Sequence, residues 1–182
     1  MRAPEPLVID GRAPVLLPAF PLRGPARDGR ALAVWTRTVY LRGPDGWNRI
    51  PRGYVTDWGS IPRLAELLSL TELQPFGSHA MAAGGHDWRY AIGEPGRRKA
   101  ADDFFHAQMV LDGVPALRRE IMYAAVRLGG AGGYAQAERW WRTENFADPV
   151  TGAYPVAPPF RREDAFEGRA WGLRDRPDWI EP

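Results

Sequence analysis

The spacing of apolar positions changes character along the chain. Residues 31–41 (ALAVWTRTVYL) are dense in β-branched and aromatic side chains and stop at the turn Gly43-Pro44-Asp45-Gly46. Trp47-Asn48-Arg49-Ile50-Pro51 and Gly53-Tyr54-Val55-Thr56-Asp57 follow in the same manner, so a hairpin or a small antiparallel sheet is expected across about 31–56. Upstream, residues 1–30 are Pro-rich, and Leu7-Val8-Ile9 and Val15-Leu16-Leu17 are short enough to be edge strands. The turn over 57–62 should launch a short helix across 63–70, with Ser60 as its cap and Pro62 in its first turn.

Beyond Pro75 the apolar spacing lengthens to three and four, and helices are expected at about 78–91, 97–112 and 115–129. In the first, the pair Gly84-Gly85 costs helix stability. Such a pair signals either loose local structure or the close approach of a backbone or ligand. The second places Phe105 and Met109 on one side. The third opens on Pro115, ends at Gly129-Gly130, and carries Leu117, Ile121, Ala124, Ala125 and Leu128 as its apolar stripe. Residues 135–141 can extend a helix. After Thr143 the chain is rich in Pro, Gly, Asp and Arg, with scattered large aromatics and no periodicity.

The fold class expected is therefore α+β: a small antiparallel β-sheet at the N-terminal side, then a three-helix unit, then an extended irregular C-terminal arm. A single domain is expected over 1–142, with its core motif at 53–130, and the arm over 143–182. The arm is expected to lie on the domain or on a partner.

Composition narrows the function classes. There is no cysteine, which excludes disulfides and thiolate metal sites. The net charge is +2 with no strongly basic run, which argues against a nucleic-acid partner. No stretch approaches ~18 uninterrupted apolar residues, so no membrane span is expected. Pro4, Glu5, Pro6 and Asp10 leave no room for an apolar signal segment.

The chemistry concentrates in Gly84-Gly85-His86-Asp87-Trp88-Arg89-Tyr90. On a helix His86 and Tyr90 share a face, and Asp87 points about 100° away. An antiparallel partner helix can bring Asp102 to one imidazole nitrogen of His86, leaving the other as a general base for water. Tyr90 can donate its hydroxyl to the same carboxylate. Asp87 could bind a hard cation such as Ca2+ together with backbone carbonyls. The bland alternative is a polar pair satisfied locally at a helix start. His79 and His106 could be imagined with Asp87 or Asp102 as a zinc site, but surface or capping roles suit them better. Asp57 and Ser60 read as turn and cap residues, and Asp103 as a solvent-facing charge.

Two resemblances follow from these residues. The His86-Asp87-x-x-Tyr90 helix, paired with Ala101-Asp102-Asp103-Phe104-Phe105, resembles the core of the phospholipase A2 superfamily over about 84–109. That resemblance implies His86 as base, Asp87 as calcium ligand and Asp102 with Tyr90 as the orienting pair; the superfamily's glycine-rich calcium loop has no evident counterpart upstream. A longer pattern resembles the phage and prophage domain-of-unknown-function family 1353. It comprises Gly53-Tyr54-Val55-Thr56-Asp57, Ser60-Ile61-Pro62, His86-Asp87, Tyr90, Ala101-Asp102, Phe105, Met109, Met122-Tyr123-Ala124-Ala125-Val126 and Gly130. It implies a tailed phage, prophage or gene-transfer-agent origin, hence a location in the virion or in the host cytoplasm before assembly.

Two functions are expected from this. One is a virion-associated hydrolase of ester or phospholipid bonds, acting on host envelope lipid. The alternative is a non-enzymatic tail, neck or baseplate component that docks on other virion proteins through its C-terminal arm.

Overall fold

The computed structural model describes residues 5–12, 19–21, 32–56, 78–134 and 145–153. The expectations for 15–17, 57–62, 63–70, 135–141 and the arm after 153 lie outside them. The strands are β1 (Leu7–Ile9), β2 (Ala19–Pro21), β3 (Ala33–Trp35), β4 (Val39–Gly43), β5 (Gly46–Ile50) and β6 (Val55–Thr56). Three helices follow: α1 (Ala80–Ile92), α2 (Arg98–Leu111) and α3 (Ala116–Gly129), with a short 3-10 turn at Gly130–Gly132. This is the α+β arrangement expected from the sequence.

The apolar run at 31–41 does not stay one strand. The chain turns at Thr36-Arg37-Thr38, and Arg52 clamps the corner. Its Nε donates to the Thr36 carbonyl at 3.1 Å and its backbone N–H to Thr38 Oγ1 at 3.3 Å. The strands therefore divide into two three-stranded sheets, β1-β4-β5 and β2-β3-β6. β4 and β5 form the expected hairpin around Pro44-Asp45, whereas β1 joins β4 in parallel. In β3, Ala33 and Trp35 enter the main core while Val34 packs on Val55 and Ala147 on the other face. Both faces are covered, so the strand shows no alternation of polar and apolar residues.

Helix α1 is central, and all thirteen of its residues are buried. It ends on Gly93 in the left-handed conformation, φ 58°, which a side chain would disfavour. Residues 93–97 then turn the chain back so that α2 packs along α1, and α3 packs on α2. The main core joins both sheets to α1 and α2 through Trp35, Leu41, Ile50, Tyr54, Trp88 and Phe104. Phe146 belongs to the same core, bridging to Tyr54, and the Ala147 N–H donates to the Gly53 carbonyl at 2.8 Å. Residues 145–147, in the stretch expected as an arm, thus lie on the domain.

The stripe expected on α3 is rotated. Its buried residues are Met122, Ala125 and Val126, whereas Leu117 and Leu128 are 74% and 76% exposed and Ala124 is also exposed. Two polar anchors explain the rotation. The Tyr123 hydroxyl donates to Asp103 at 2.7 Å and Arg127 Nη1 to Asp102 at 2.6 Å, and both require their own face of α3 to meet α2.

Candidate functional site: a His–Asp–Tyr network on the central helix

The glycine pair of α1 is a seat for two aromatic rings. A β-carbon on Gly84 would collide with the Trp35 indole, and one on Gly85 would lie 2.6 Å from the Phe104 ring. Neither of the two sequence readings is met: the close neighbours are side chains of the protein's own core. Asn48, wholly buried on β5, donates to the Gly85 carbonyl at 3.3 Å.

One residue further on, His86 turns toward α2. Its Nε2 lies 3.0 Å from Asp102 Oδ1. The Tyr90 hydroxyl donates to the same oxygen at 2.7 Å. Asp102 Oδ2 takes Arg127 Nη1 at 2.6 Å, with Arg98 Nη1 at 3.7 Å. The His86 ring rests between Tyr90 and Phe105, with centroids at 4.1 and 4.9 Å. Behind Tyr90, Gly130 leaves the space that its hydroxyl occupies.

Electrostatics sets the protonation states. Burial lowers the pKa of His86 below its ordinary value, against the raising effect of Asp102, and Arg89 adds to the lowering. Burial alone would raise the pKa of Asp102, but the hydrogen bonds from His86, Tyr90 and Arg127 outweigh it and hold the carboxyl below its usual range. Burial and Asp102 together raise the Tyr90 phenol well above its ordinary value. An ionised Asp102 is acceptor-only, so the His86 proton sits on Nε2 and Nδ1 carries a lone pair. Among the described residues nothing hydrogen-bonds Nδ1, and the His86 side chain retains 8% exposure.

Asp87 points the other way, as its place on the helix requires. Its Oδ2 accepts the Thr56 hydroxyl of β6 at 2.8 Å. Among the described residues no three histidine or acidic side chains converge. A calcium ion takes 6–8 oxygens. The described residues therefore do not complete a calcium site, and the turn at 57–62 lies outside them.

His79 and His106 stand apart from this network. His106 is half-exposed and pairs with Glu120 at 2.8 Å. His79 sits at the N-terminus of α1 without a side-chain cap and is 2% exposed, so it is neither a surface residue nor a hydrogen-bonding cap. Asp103, partly exposed as expected, bonds Lys99 and Tyr123.

The sequence reading missed three polar partners. Arg127 and Arg98 bind Asp102, and Thr56 binds Asp87. Arg127 is one of several arginines on α3, and only the rotation of that helix distinguishes it from Arg118 and Arg119. It also missed Arg89, which is wholly buried, bidentate to Asp45 at 2.9 Å on both oxygens, and stacked over Phe104 at 4.2 Å.

Two small sheets and two further helices thus surround a central helix whose His86 and Tyr90 share one carboxylate. The chain belongs to the family described as "Protein of unknown function (DUF1353)", whose model matches residues 34–126, about half of it. The match runs from β3 into α3 and holds His86, Tyr90 and Asp102, ending one residue before Arg127. No curated protein and no solved structure matches the chain. No described helix is long and apolar enough to cross a membrane.

Proposed function

We propose that this protein is a hydrolase of ester bonds, of the phospholipid type, in which His86 is the general base. The observation that carries the reading is the pairing of His86 Nε2 with Asp102, with Nδ1 left unpartnered among the described residues. Nδ1 takes a proton from a water molecule, and the oxygen of that water attacks the ester carbonyl. Asp102 stabilises the imidazolium that forms. The imidazolium then returns the proton to the departing alkoxide as the carbon–oxygen bond breaks. The depressed His86 pKa supports this role, because the ring is neutral and able to accept a proton at neutral pH. No step is routed through calcium. Host envelope lipid as the substrate, and a place in a phage-type particle, rest on the two sequence resemblances.

The test uses purified full-length protein with mixed micelles of a phosphatidylcholine and a phosphatidylglycerol, with calcium or with a chelator. Release of fatty acid that drops by at least about a hundredfold in His86→Ala is the expected result. Equal rates for wild type and His86→Ala, both at background, would end the enzymatic reading. The calcium arm separately tests the expectation placed on Asp87.

A second reading is supported by another observation: Asp102 on α2 binds residues of both other helices, His86 and Tyr90 on α1 and Arg127 on α3. On that reading the network fixes helix packing in a non-enzymatic component of a virion tail, neck or baseplate. It predicts the protein in purified particles and a large stability loss in Asp102→Asn, with no hydrolysis to lose. Absence from particles counts against it.

A further inference from the structure

Arg127 and Arg98 cross between α2 and α3 in opposite directions. Arg127, near the end of α3, reaches Asp102 on α2 at 2.6 Å. Arg98, at the start of α2, reaches back to the last turn of α3, where its Nη1 donates to the carbonyls of Val126 at 3.4 Å and Arg127 at 3.2 Å. A cation at a helix C-terminus also meets the negative end of the helix dipole. Arg98 therefore secures the backbone that carries the Arg127 side chain, and its own guanidinium stays 3.7 Å from Asp102.

The carboxylate is fully engaged as a result. Oδ1 accepts from His86 and Tyr90, and Oδ2 faces the two guanidinium groups. It has no freedom to pivot about its own axis, because each oxygen has donors on a fixed helix. The Asp102 side chain is wholly buried while that of Arg127 is 30% exposed, so the cation sits at the mouth of the network and the anion inside it.

We infer that Arg127 is a positioning residue for the His86–Asp102 pair. It turns Asp102 so that Oδ1 meets His86 Nε2. This inference rests on the reading of His86 as a base. Its guanidinium does not touch the reacting atoms; it acts through Asp102. Without Arg127 the carboxylate loses the donor that fixes Oδ2, and with it part of what holds Oδ1 on His86 Nε2 and keeps Nδ1 as the basic nitrogen. Among the described residues, the charged or titratable groups near the pair include Arg89, Asp87 and Tyr90 on α1, Arg98 and Asp103 on α2, Tyr123 on α3 and Tyr134 after the 3-10 turn. Asp45 on the hairpin turn is already paired with Arg89.

The experiment is NMR of the His86 ring nitrogens at neutral pH in full-length wild type, Arg127→Gln and Arg127→Lys, with melting temperatures recorded alongside. Wild type is expected to show the Nε2–H tautomer. Arg127→Gln is expected to shift the ring toward a mixture of the two tautomers, and Arg127→Lys by less, since an ammonium keeps the charge but not the planar fork. A lowered melting temperature with an unmoved tautomer overturns the inference, and leaves Arg127 a helix clasp only. If Arg127→Gln does not fold, Arg127→Lys decides alone: a shifted tautomer supports the inference, and an unmoved one overturns it. The measurement needs no substrate, so it separates this inference from hydrolysis. A shifted tautomer in a protein that hydrolyses nothing retains the positioning role and removes the enzymatic reading.

Discussion

The ring of Phe104 lies where a β-carbon on Gly85 would stand, 2.6 Å from that point. The same ring supports the buried Arg89 guanidinium at 4.2 Å and closes against Gly43 on the hairpin. A methyl group on Gly85 must displace a wholly buried aromatic. Gly85→Ala should therefore cost about 1–3 kcal/mol by overpacking, despite alanine's better helix propensity. Urea denaturation measures it. Phe104→Leu should recover part of the loss when combined with Gly85→Ala, as a double-mutant cycle would reveal. A Gly85→Ala protein as stable as wild type would show that this contact relaxes at little cost.

Arg89 and Asp45 give a second prediction. Arg89 is wholly buried, and the two oxygens of Asp45 meet its guanidinium from the β4–β5 turn. Burial would lower even an arginine's pKa, and the bond to Asp45 is the main opposing effect. Asp45→Ala removes the main counter-charge from an interior cation, for a cost of about 3 kcal/mol. Arg89→Met with Asp45→Ala should be less damaging than Asp45→Ala alone, because it removes the stranded charge. If the double variant is the worse of the two by chemical denaturation, the charge is not what the pair contributes.

How much of this was legible in the sequence depended on the kind of contact. His86, Tyr90 and Asp102 were visible because their spacing on two consecutive helices makes convergence a matter of helix geometry. The three helices were legible from apolar spacing and from the breakers Pro75, Pro115 and Gly129-Gly130. The face of α3 was not. Its leucines fit an inward stripe as well as Met122 and Val126 do, and the bonds of Tyr123 and Arg127 to α2 settled the rotation. The break of 31–41 into two strands was equally hidden, since the clamp comes from Arg52 and leaves no periodicity in the run itself. Gly84 and Gly85 were read as loose structure or as the approach of a backbone or ligand, whereas their neighbours are the rings of Trp35 and Phe104, which helix spacing alone does not place.

His79 makes acid stability testable. Burial lowers its pKa to about 4, and Arg118 adds to the lowering. Its folded value lies below its unfolded value near 6.5, so the unfolded chain binds the proton first. The stabilising contribution is complete above about pH 6.5 and is lost as pH falls toward about 4. The loss amounts to as much as about 3 kcal/mol for a group this buried. His86, shifted in the same direction, adds to the same slope. Asp102 contributes separately, because its carboxyl is held below the usual range; that stability persists to lower pH and is lost as pH falls through its folded value. Urea midpoints taken across this range should decline more steeply for wild type than for His79→Gln. Parallel slopes would assign the acid sensitivity to other groups.

Phe146 sets the last prediction. It lies beyond the boundary expected at 142, yet its ring is 2% exposed and meets Tyr54 edge-on at 6.0 Å. Tyr54 in turn meets Trp88 at 5.0 Å, one helical turn or less from His86, Asp87 and Tyr90. A chain ending at 142 exposes that side of Tyr54 and leaves the Gly53 carbonyl without the Ala147 N–H. A chain ending at 153 keeps both. The shorter chain should be less stable than the longer by about 3–5 kcal/mol, the range for deleting a buried phenylalanine side chain, and Phe146→Ala in the full chain should reproduce most of that loss. Thermal melts of the three proteins make the comparison. Equal melting for the two truncated chains would mean that residues 143–153 only lie on the core, and that Tyr54 and Trp88 hold their edge-to-face packing without Phe146.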